Sequence, residues 1–407
     1  MPNKKLALFL DGSWNNIDDN TNVWRLSQMV SRRDSQGNRQ LRYYTPGVGT
    51  ARGEKIRGGA LGHGLDEDVI EAYRWLMGNF TQKKGETPSD EIYIFGFSRG
   101  AFTARSLSGM IARCGLLRAG APLSVEELYN RYRMDSKAPS LVELYDKDNP
   151  TAAERRLMRH SRRVIIRMIG VWDTVGALGV PFGNIPGISR RRFGFHNTDL
   201  SKLYEHAYQA LAVDEHRKAF DPTLWTLFKP TGSDHPKKGS WRPTQVEQRW
   251  FVGAHANIGG GIPSDDLPQL PMDWLVGKAN ALGLTFRETV KVRKDKDWKG
   301  SIHDSFAEFA FGLYRLIKFG RRHYRTIAKR PIAVDGGSVG SVNETIDGSV
   351  FDRWRHNAEY RPVSIVRWAK RFGQDPAKLR GTIDASTGAK VEETATEGAL
   401  PPRQPKK

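Results

Sequence analysis

A single cysteine, Cys114, is all the thiol that this 407-residue chain carries. One thiol cannot close an internal disulfide, so a disulfide scaffold, a four-cysteine zinc site and an iron–sulfur cluster held by this chain alone are excluded, and folding in a reducing compartment is expected. Long apolar runs are missing as well, since no stretch nears the ~20 residues a helix needs to span a bilayer. The start, Met1-Pro2-Asn3-Lys4-Lys5 and then Leu6-Ala7-Leu8-Phe9-Leu10, imitates the charged and apolar parts of a secretory signal. Its apolar part is too short and runs directly into Asp11-Gly12-Ser13-Trp14 without a small-residue cleavage pattern, so it reads as a first buried strand. Acid is scarce relative to base: 45 Asp plus Glu against 64 Lys plus Arg leave a formal net charge of +19. What is plentiful is apolar and aromatic material, 38% hydrophobic with 11 Trp and 18 Phe, which excludes a wholly disordered chain.

Short apolar runs end abruptly in polar or glycine-containing turns. Leu6 to Leu10 stops at Asp11-Gly12, 92–95 at Gly96-Phe97-Ser98-Arg99-Gly100, 164–171 at Trp172-Asp173, and Trp250-Phe251-Val252-Gly253-Ala254 at His255. Buried parallel strands have this pattern, with reactive side chains displayed at their ends. Helix-like segments at 66–76, 101–114, 125–133 and 199–213 alternate with them, which predicts an α/β fold with a doubly wound, mostly parallel sheet. Residues 1–285 are expected to form one catalytic domain, interrupted by a charged helical insertion at 116–162 and a Gly-, Pro- and Arg-rich one at 182–245. A helical accessory region is expected at 286–380, where Phe306, Phe309, Leu313 and Leu316 keep helical spacing, followed by a disordered tail at 381–407.

The sharpest chemical signal is Gly96-Phe97-Ser98-Arg99-Gly100 between a strand and a helix, the context of a nucleophile elbow. There the turn exposes the Ser98 hydroxyl, and side chains at Gly96 or Gly100 would collide with neighbouring backbone. Serine needs a positioned base and an acid to orient that base. Asp173 and His255 follow in the chain order Ser, Asp, His, each just past a strand, with His63, His206 and His216 as fallback bases. The oxyanion of a tetrahedral intermediate needs two N–H donors, one from Arg99 and one from Gly12 or Ser13 after the first strand. Asp11 is expected to support that loop by accepting backbone hydrogen bonds. An aspartate ending a first strand also suits a metal-dependent phosphoryl or phosphodiester hydrolase, and that alternative stays open. No His-Glu-x-x-His helix, EF-hand loop or cysteine cluster is present, so neither a metal nor a cofactor is expected.

Phe9-Leu10-Asp11-Gly12-Ser13-Trp14-Asn15, Tyr44-Thr45-Pro46-Gly47-Val48-Gly49-Thr50, Gly96-Phe97-Ser98-Arg99-Gly100-Ala101, Gly170-Val171-Trp172-Asp173-Thr174-Val175-Gly176 and His255-Ala256-Asn257-Ile258-Gly259-Gly260-Gly261 occur in this order. With Asp214-Glu215 and Arg217 between the last two, they resemble the successive blocks of a bacterial α/β-hydrolase-like family. That family includes the phospholipase effectors of the first lipase class exported by type VI secretion systems. The resemblance implies an α/β-hydrolase fold, a triad centred on Ser98 and cleavage of phospholipid acyl esters. It also implies export without a signal peptide from the cytoplasm of the producing cell, a secretion-system component as carrier and an immunity protein as partner. Two departures stand out: Ser13 where threonine is expected, and His255-Ala256-Asn257 where His-Ser-Asp is expected. The second leaves Asp173 as the carboxylate available to orient His255.

The basic surplus is dispersed, in Arg155-Arg156, Arg162-Arg163, Arg190-Arg191-Arg192, Lys237-Lys238, 291–299 and 318–330. It favours an anionic membrane surface, at ~1 kcal/mol per Lys or Arg close to the lipid. Nucleic acid ranks below it, because no nucleic-acid motif appears. The segment 306–325, apolar and then cationic, fits either an interfacial helix or a core helix with a basic end. Besides the two hydrolase readings, a catalytically silent module that binds anionic lipid or nucleic acid is the third.

Overall fold

The computed structural model describes residues 4–12, 19–46, 60–81, 90–134, 138–175, 203–232, 245–262, 266–293, 296–304 and 322–392. The first apolar run is strand β1 (Lys5–Leu10), and its alternation explains the architecture. Leu6, Leu8 and Leu10 enter one hydrophobic cluster while Ala7 and Phe9 enter another. A strand that must bury both faces reads as a continuous apolar run, because successive side chains point to opposite sides. The same split recurs in β3 (Glu91–Phe97), with Ile92 and Ile94 on one side and Tyr93, Phe95 and Phe97 on the other.

With β2 (Gln40–Thr45), β4 (Ile166–Trp172), β5 (Ala207–Ala212), β6 (Val246–Phe251), β7 (Glu344–Ile346) and β8 (Ile383–Asp384), these form an eight-stranded sheet in the order β2-β1-β3-β4-β5-β6-β7-β8. Every pairing in it is parallel except that of β7 with the edge strand β8. Helices Ala60–Asn79 and Arg99–Cys114 cover one face through Val69, Tyr73, Leu76, Leu107 and Met110. Helices Asn22–Met29 and Asp266–Ala281 cover the other through Val23, Leu26, Met272 and Leu275. The chain leaves β1 for β2 on one side and returns to β3 on the other, so the order reverses between β1 and β3. In open sheets of this kind the crevice for ligands lies at the carboxyl ends of the strands beside that reversal.

Three expectations are revised. The segment 199–213 reads as helical, yet its described part holds β5, a central strand lying inside the expected insertion at 182–245. All six residues of β5 are buried, so the run has no polar period to distinguish strand from helix. The core does not stop near 285, since β7 and β8 extend the central sheet. Val350, Phe351, Ile365 and Trp368 pack with Leu211, Val213, Trp250 and Val252 in a third cluster. The stretch expected to be a helical accessory region therefore also carries strands, including Ile332–Val334 and Gly337–Ser341, which form a small antiparallel sheet with Thr226–Pro230. Strands of two or three residues are too short to show periodicity. The expected tail begins inside β8's surroundings, and residues 393–407 lie outside the described residues, as do the helical pattern at 306–316 and the segment 176–202.

The described part of the insertion at 116–162 is helical: Val125–Met134, Leu141–Tyr145 and Ala152–His160. The last two begin with reciprocal caps, Ser140 with Glu143 and Thr151 with Glu154, which satisfy backbone donors that helix starts leave open. Antiparallel pairing of Leu116–Leu117 with Ser161–Arg162 closes the excursion at its base.

Candidate active site

Register places the ends of several strands side by side. Leu10 pairs with Gly96, Phe97 with Trp172, Trp172 with Ala210 and Ala212 with Phe251. The residues just beyond, Asp11, Ser98, Asp173 and the 252–255 turn, thus share one edge of the sheet. Ser98 sits at φ 57° and ψ −119°, a conformation that costs an L-residue of order 1–3 kcal/mol and persists only where its surroundings enforce it. They do: the Ser98 N–H donates to Trp172 O at 3.1 Å, and the helix Arg99–Cys114 starts at the next residue. The flanking glycines are sterically required. A Cβ on Gly100 would stand 2.1 Å from Leu10 O, and one on Gly96 would stand 2.6 Å from Gly100 O.

From this turn a chain of hydrogen bonds runs inward. Ser98 Oγ lies 2.8 Å from His255 Nε2, and His255 Nδ1 lies 2.5 Å from Asp173 Oδ2. A carboxylate only accepts, so Nδ1 carries the imidazole proton and Nε2 is the acceptor facing the serine hydroxyl. Asp173 is itself at φ 40°, its N–H donating to Ala210 O at 2.8 Å, and its Oδ1 accepts the Ala212 N–H at 3.1 Å. His255 opens the short helix His255–Gly259 and is held between rings, with Phe97 at 4.7 Å and Phe220 edge-on at 5.0 Å. Gly259 leaves room for that stack, because a Cβ there would fall 2.1 Å from the Phe97 ring.

The electrostatics set the charge state of the pair. Burial works to raise the Asp173 carboxyl, but the Arg325 charge and the bond to His255 outweigh it and hold it below the ordinary carboxylate range. Burial pushes His255 down, the Asp173 bond and charge restore part of that, and Arg217 pushes it down again, so the ring is neutral. A neutral imidazole facing a hydroxyl, backed by an ionised carboxylate, can accept the hydroxyl proton as the oxygen attacks an electrophile.

The other candidates fall into place around this chain. Asp11 is 3% exposed, and its carboxylate accepts from Gly12 N–H at 2.7 Å, Thr21 Oγ1 at 2.5 Å and Tyr44 OH at 3.0 Å. Ser13 lies outside the described residues. Arg99 is buried, and burial brings its guanidinium down to about 10. Asn257 bonds away from the imidazole. Its Oδ1 accepts from Ala254 N–H at 3.1 Å and His303 N–H at 2.9 Å, and its Nδ2 donates to Ser301 O at 3.1 Å, tying the histidine turn to residues 301–303. An aspartate could not make that donation. Of the fallback bases, His206 pairs with Tyr208 OH at the opposite end of β5, and His216 faces His323 O. The side chain of His63 lies outside the described residues. Among the described residues no three His, Cys, Asp or Glu side chains are grouped to hold a metal ion.

Two site residues escape the reading of strand ends. Glu215 accepts the His255 backbone N–H at 3.3 Å and grips Arg217 through both oxygens, at 2.8 and 2.9 Å; its one signal is its place in the 214–217 block. Arg325 grips both Asp173 oxygens, at 2.6 and 2.9 Å. It sits in a run of basic residues that charge alone cannot distinguish from surface.

A sheet reversing between β1 and β3, a serine on a strained strand-to-helix turn and a histidine and aspartate aligned behind it define an α/β-hydrolase-like protein. The chain belongs to the family described as T6SS, Phospholipase effector Tle1-like, catalytic domain, which it matches over residues 4–278. It is also 31% identical over 245 residues to the uncharacterized protein YEL023C of Saccharomyces cerevisiae, covering 55% of this chain and 33% of the yeast protein. Among solved structures, an uncharacterized protein from Pseudomonas aeruginosa aligns with a TM-score of 0.40 at 16% identity, over 78% of this chain and 51% of that one. The Tle1 effector bound to the VgrG spike of the type 6 secretion system aligns with a TM-score of 0.31 at 17% identity, over 65% of this chain and 52% of that one. The chain thus spans about a third of the yeast relative and about half of each structural neighbour.

Proposed function

We propose that the protein is a serine esterase cleaving acyl esters of phospholipids, a phospholipase of the A type. The observation that carries this reading is the continuous chain from Ser98 Oγ through His255 to Asp173, at 2.8 and 2.5 Å. Ser98 Oγ attacks the ester carbonyl and passes its proton to His255 Nε2, Asp173 stabilises the imidazolium, and the alcohol product leaves with that proton. Water, deprotonated by the same imidazole, then releases the fatty acid from Ser98. The developing oxyanion takes the Arg99 N–H and a donor from Gly12 or Ser13. Gly12 already gives its N–H to Asp11, so Gly12 would have to share it between the carboxylate and the oxyanion.

Membership of a phospholipase effector family supports the lipid substrate and a secretion-system component as carrier. An immunity protein as partner is part of the same proposal. The net charge of +19 supports adsorption to anionic lipid. No helix among the described residues is long and apolar enough to cross a membrane.

The test is fatty-acid release from anionic and zwitterionic phospholipid vesicles, with and without chelator, for the intact protein and for Ser98→Ala. Release that requires Ser98 and ignores the chelator is the expected result. Chelator-sensitive release of the headgroup or its phosphate without fatty acid, unchanged in Ser98→Ala, would instead favour phosphoryl chemistry at Asp11. Salt-sensitive vesicle binding without release by either protein would favour the silent binding module.

A further inference from the structure

Arg325 lies beyond the matched range of 4–278, in a stretch with neither helix nor strand, and yet is among the most buried side chains of the protein at 1% exposure. Its Nη1 donates to Asp173 Oδ1 at 2.6 Å and to Ala212 O at 2.9 Å, and its Nη2 donates to Asp173 Oδ2 at 2.9 Å and to Phe220 O. A fork closed on both oxygens fixes the carboxylate plane as well as its charge, as a lysine could not. The flanking residues are sewn to the loop after β5. His323 N–H donates to His216 O at 2.9 Å, His323 Nε2 meets Asp221 Oδ1 at 3.0 Å, and the Tyr324 ring stands edge-on to His216 at 5.2 Å.

We propose that Arg325 is a positioning residue that tunes the base: its fixed positive charge on the Asp173 carboxylate sets how acidic the surroundings must become before the Asp173–His255 pair takes up a proton and stops working. The proposal rests on the serine-esterase reading of Ser98. The charged groups that act on the pair among the described residues are these. His255 faces Asp173, Arg217 and Glu215, Asp173 faces His255 and Arg325, and Arg325 also feels Glu215 and Asp221. Glu215 is paired with Arg217, and Asp173 is paired with Arg325. The sign does not depend on where the proton lands. Whether it settles on His255 or on Asp173, it adds positive charge beside a guanidinium, so removing the guanidinium makes uptake easier and moves the titration of the pair to higher pH.

The experiment measures how fast a fluorophosphonate probe modifies Ser98 as a function of pH, in the full chain and in Arg325→Met and Arg325→Lys. In Arg325→Met the acid limb moves up by about one unit, so labelling on that limb falls about tenfold relative to its plateau. Arg325→Lys restores the charge and brings the limb back toward the wild type, with a lower plateau because the fork is lost. A plateau that drops in both variants while the limb stays in place would mean a merely structural role and overturns the proposal. Should Arg325→Met fail to fold, Arg325→Gln takes its place, and NMR of histidine-labelled protein compares its His255 titration with that of the wild type. A midpoint higher in the variant than in the wild type supports the proposal, and an unchanged one overturns it. Wild-type protein that is not labelled at Ser98 sinks the esterase reading instead, and the His255 titration then still tests Arg325 separately.

Discussion

Gly100→Ala tests the geometry on which the candidate nucleophile depends. A Cβ at that position lies 2.1 Å from Leu10 O and 2.3 Å from Asp11 O, about 1.3 Å short of the 3.4 Å at which ordinary contact begins. Both obstacles are backbone. Strand β1 cannot retreat, because it is paired along its length on both sides, to β2 and to β3. The displacement must therefore fall on the start of the helix Arg99–Cys114 and on Ser98, which precedes it. An Oγ–Nε2 separation of 2.8 Å does not survive a shift of that size as a hydrogen bond. Misplacement by 1 Å costs ~10²-fold in rate, and overpacking costs ~1–3 kcal/mol in stability. The assay is labelling of Ser98 by a fluorophosphonate probe together with a thermal melt. Gly78→Ala, where nothing lies within 4 Å, serves as the control that leaves labelling unchanged. If Gly100→Ala labels at the wild-type rate with an unchanged melting temperature, the argument that the two glycines exist to admit the elbow is refuted.

Two further outcomes follow from single residues. Ser98→Gly removes the side chain that pays for a φ of 57°, so the variant melts higher by the equivalent of about 0.5–1 kcal/mol while losing all Ser98-dependent ester cleavage; a lower melting temperature would count against strain at this turn. Asn257→Asp deletes the donor to Ser301 O and sets a carboxylate against that carbonyl, which costs about 1–3 kcal/mol in a denaturant melt; an unchanged midpoint would mean that the tie to residues 301–303 is unimportant.

The parts of the fold legible in the sequence are those whose burial is symmetrical and whose ends are marked. Leu6 to Leu10 and 92–95 are unbroken apolar runs closed by Asp11-Gly12 and by Gly96-Phe97-Ser98, so strand, turn and candidate nucleophile can be read together. His255 is legible for the same reason, since a strand precedes it and Gly259-Gly260-Gly261 follow. Strand β5 is not, because Gln209 lies fully buried within it, bonded to Arg105 Nη2 at 2.9 Å and to Gln248 at 3.1 Å, and breaks the apolar run that would have marked a strand. Strands β7 and β8 are invisible because three and two residues carry no period. Arg325 is hidden for a different reason. Its neighbours Arg322, Lys329 and Arg330 make a basic string, and only the three-dimensional partner, Asp173, separates the buried cation from these exposed ones.

Asp11 shows how one position can be ambiguous in sequence and specific in structure. At the end of a first strand, a carboxylate suits either a metal or phosphoryl ligand or a loop support, and residue type alone cannot choose. Here its oxygens are gathered inward by Gly12 N–H, the Thr21 hydroxyl and the Tyr44 hydroxyl. Thr21 meanwhile accepts the Trp24 N–H at 3.1 Å and so caps the helix Asn22–Met29. One carboxylate thereby joins the ends of β1 and β2 to a helix start, while the backbone carbonyls of Leu10 and Asp11 press on Gly100 behind the serine turn. Donors that stabilise an oxyanion help only when they are fixed before the charge appears, because a loop that must reorganise spends the stabilisation it supplies. The end of β1 at Leu10 and Asp11 and the turn of Ser98 are packed against each other, and the tie that holds the Gly12 N–H is the Asp11 carboxylate.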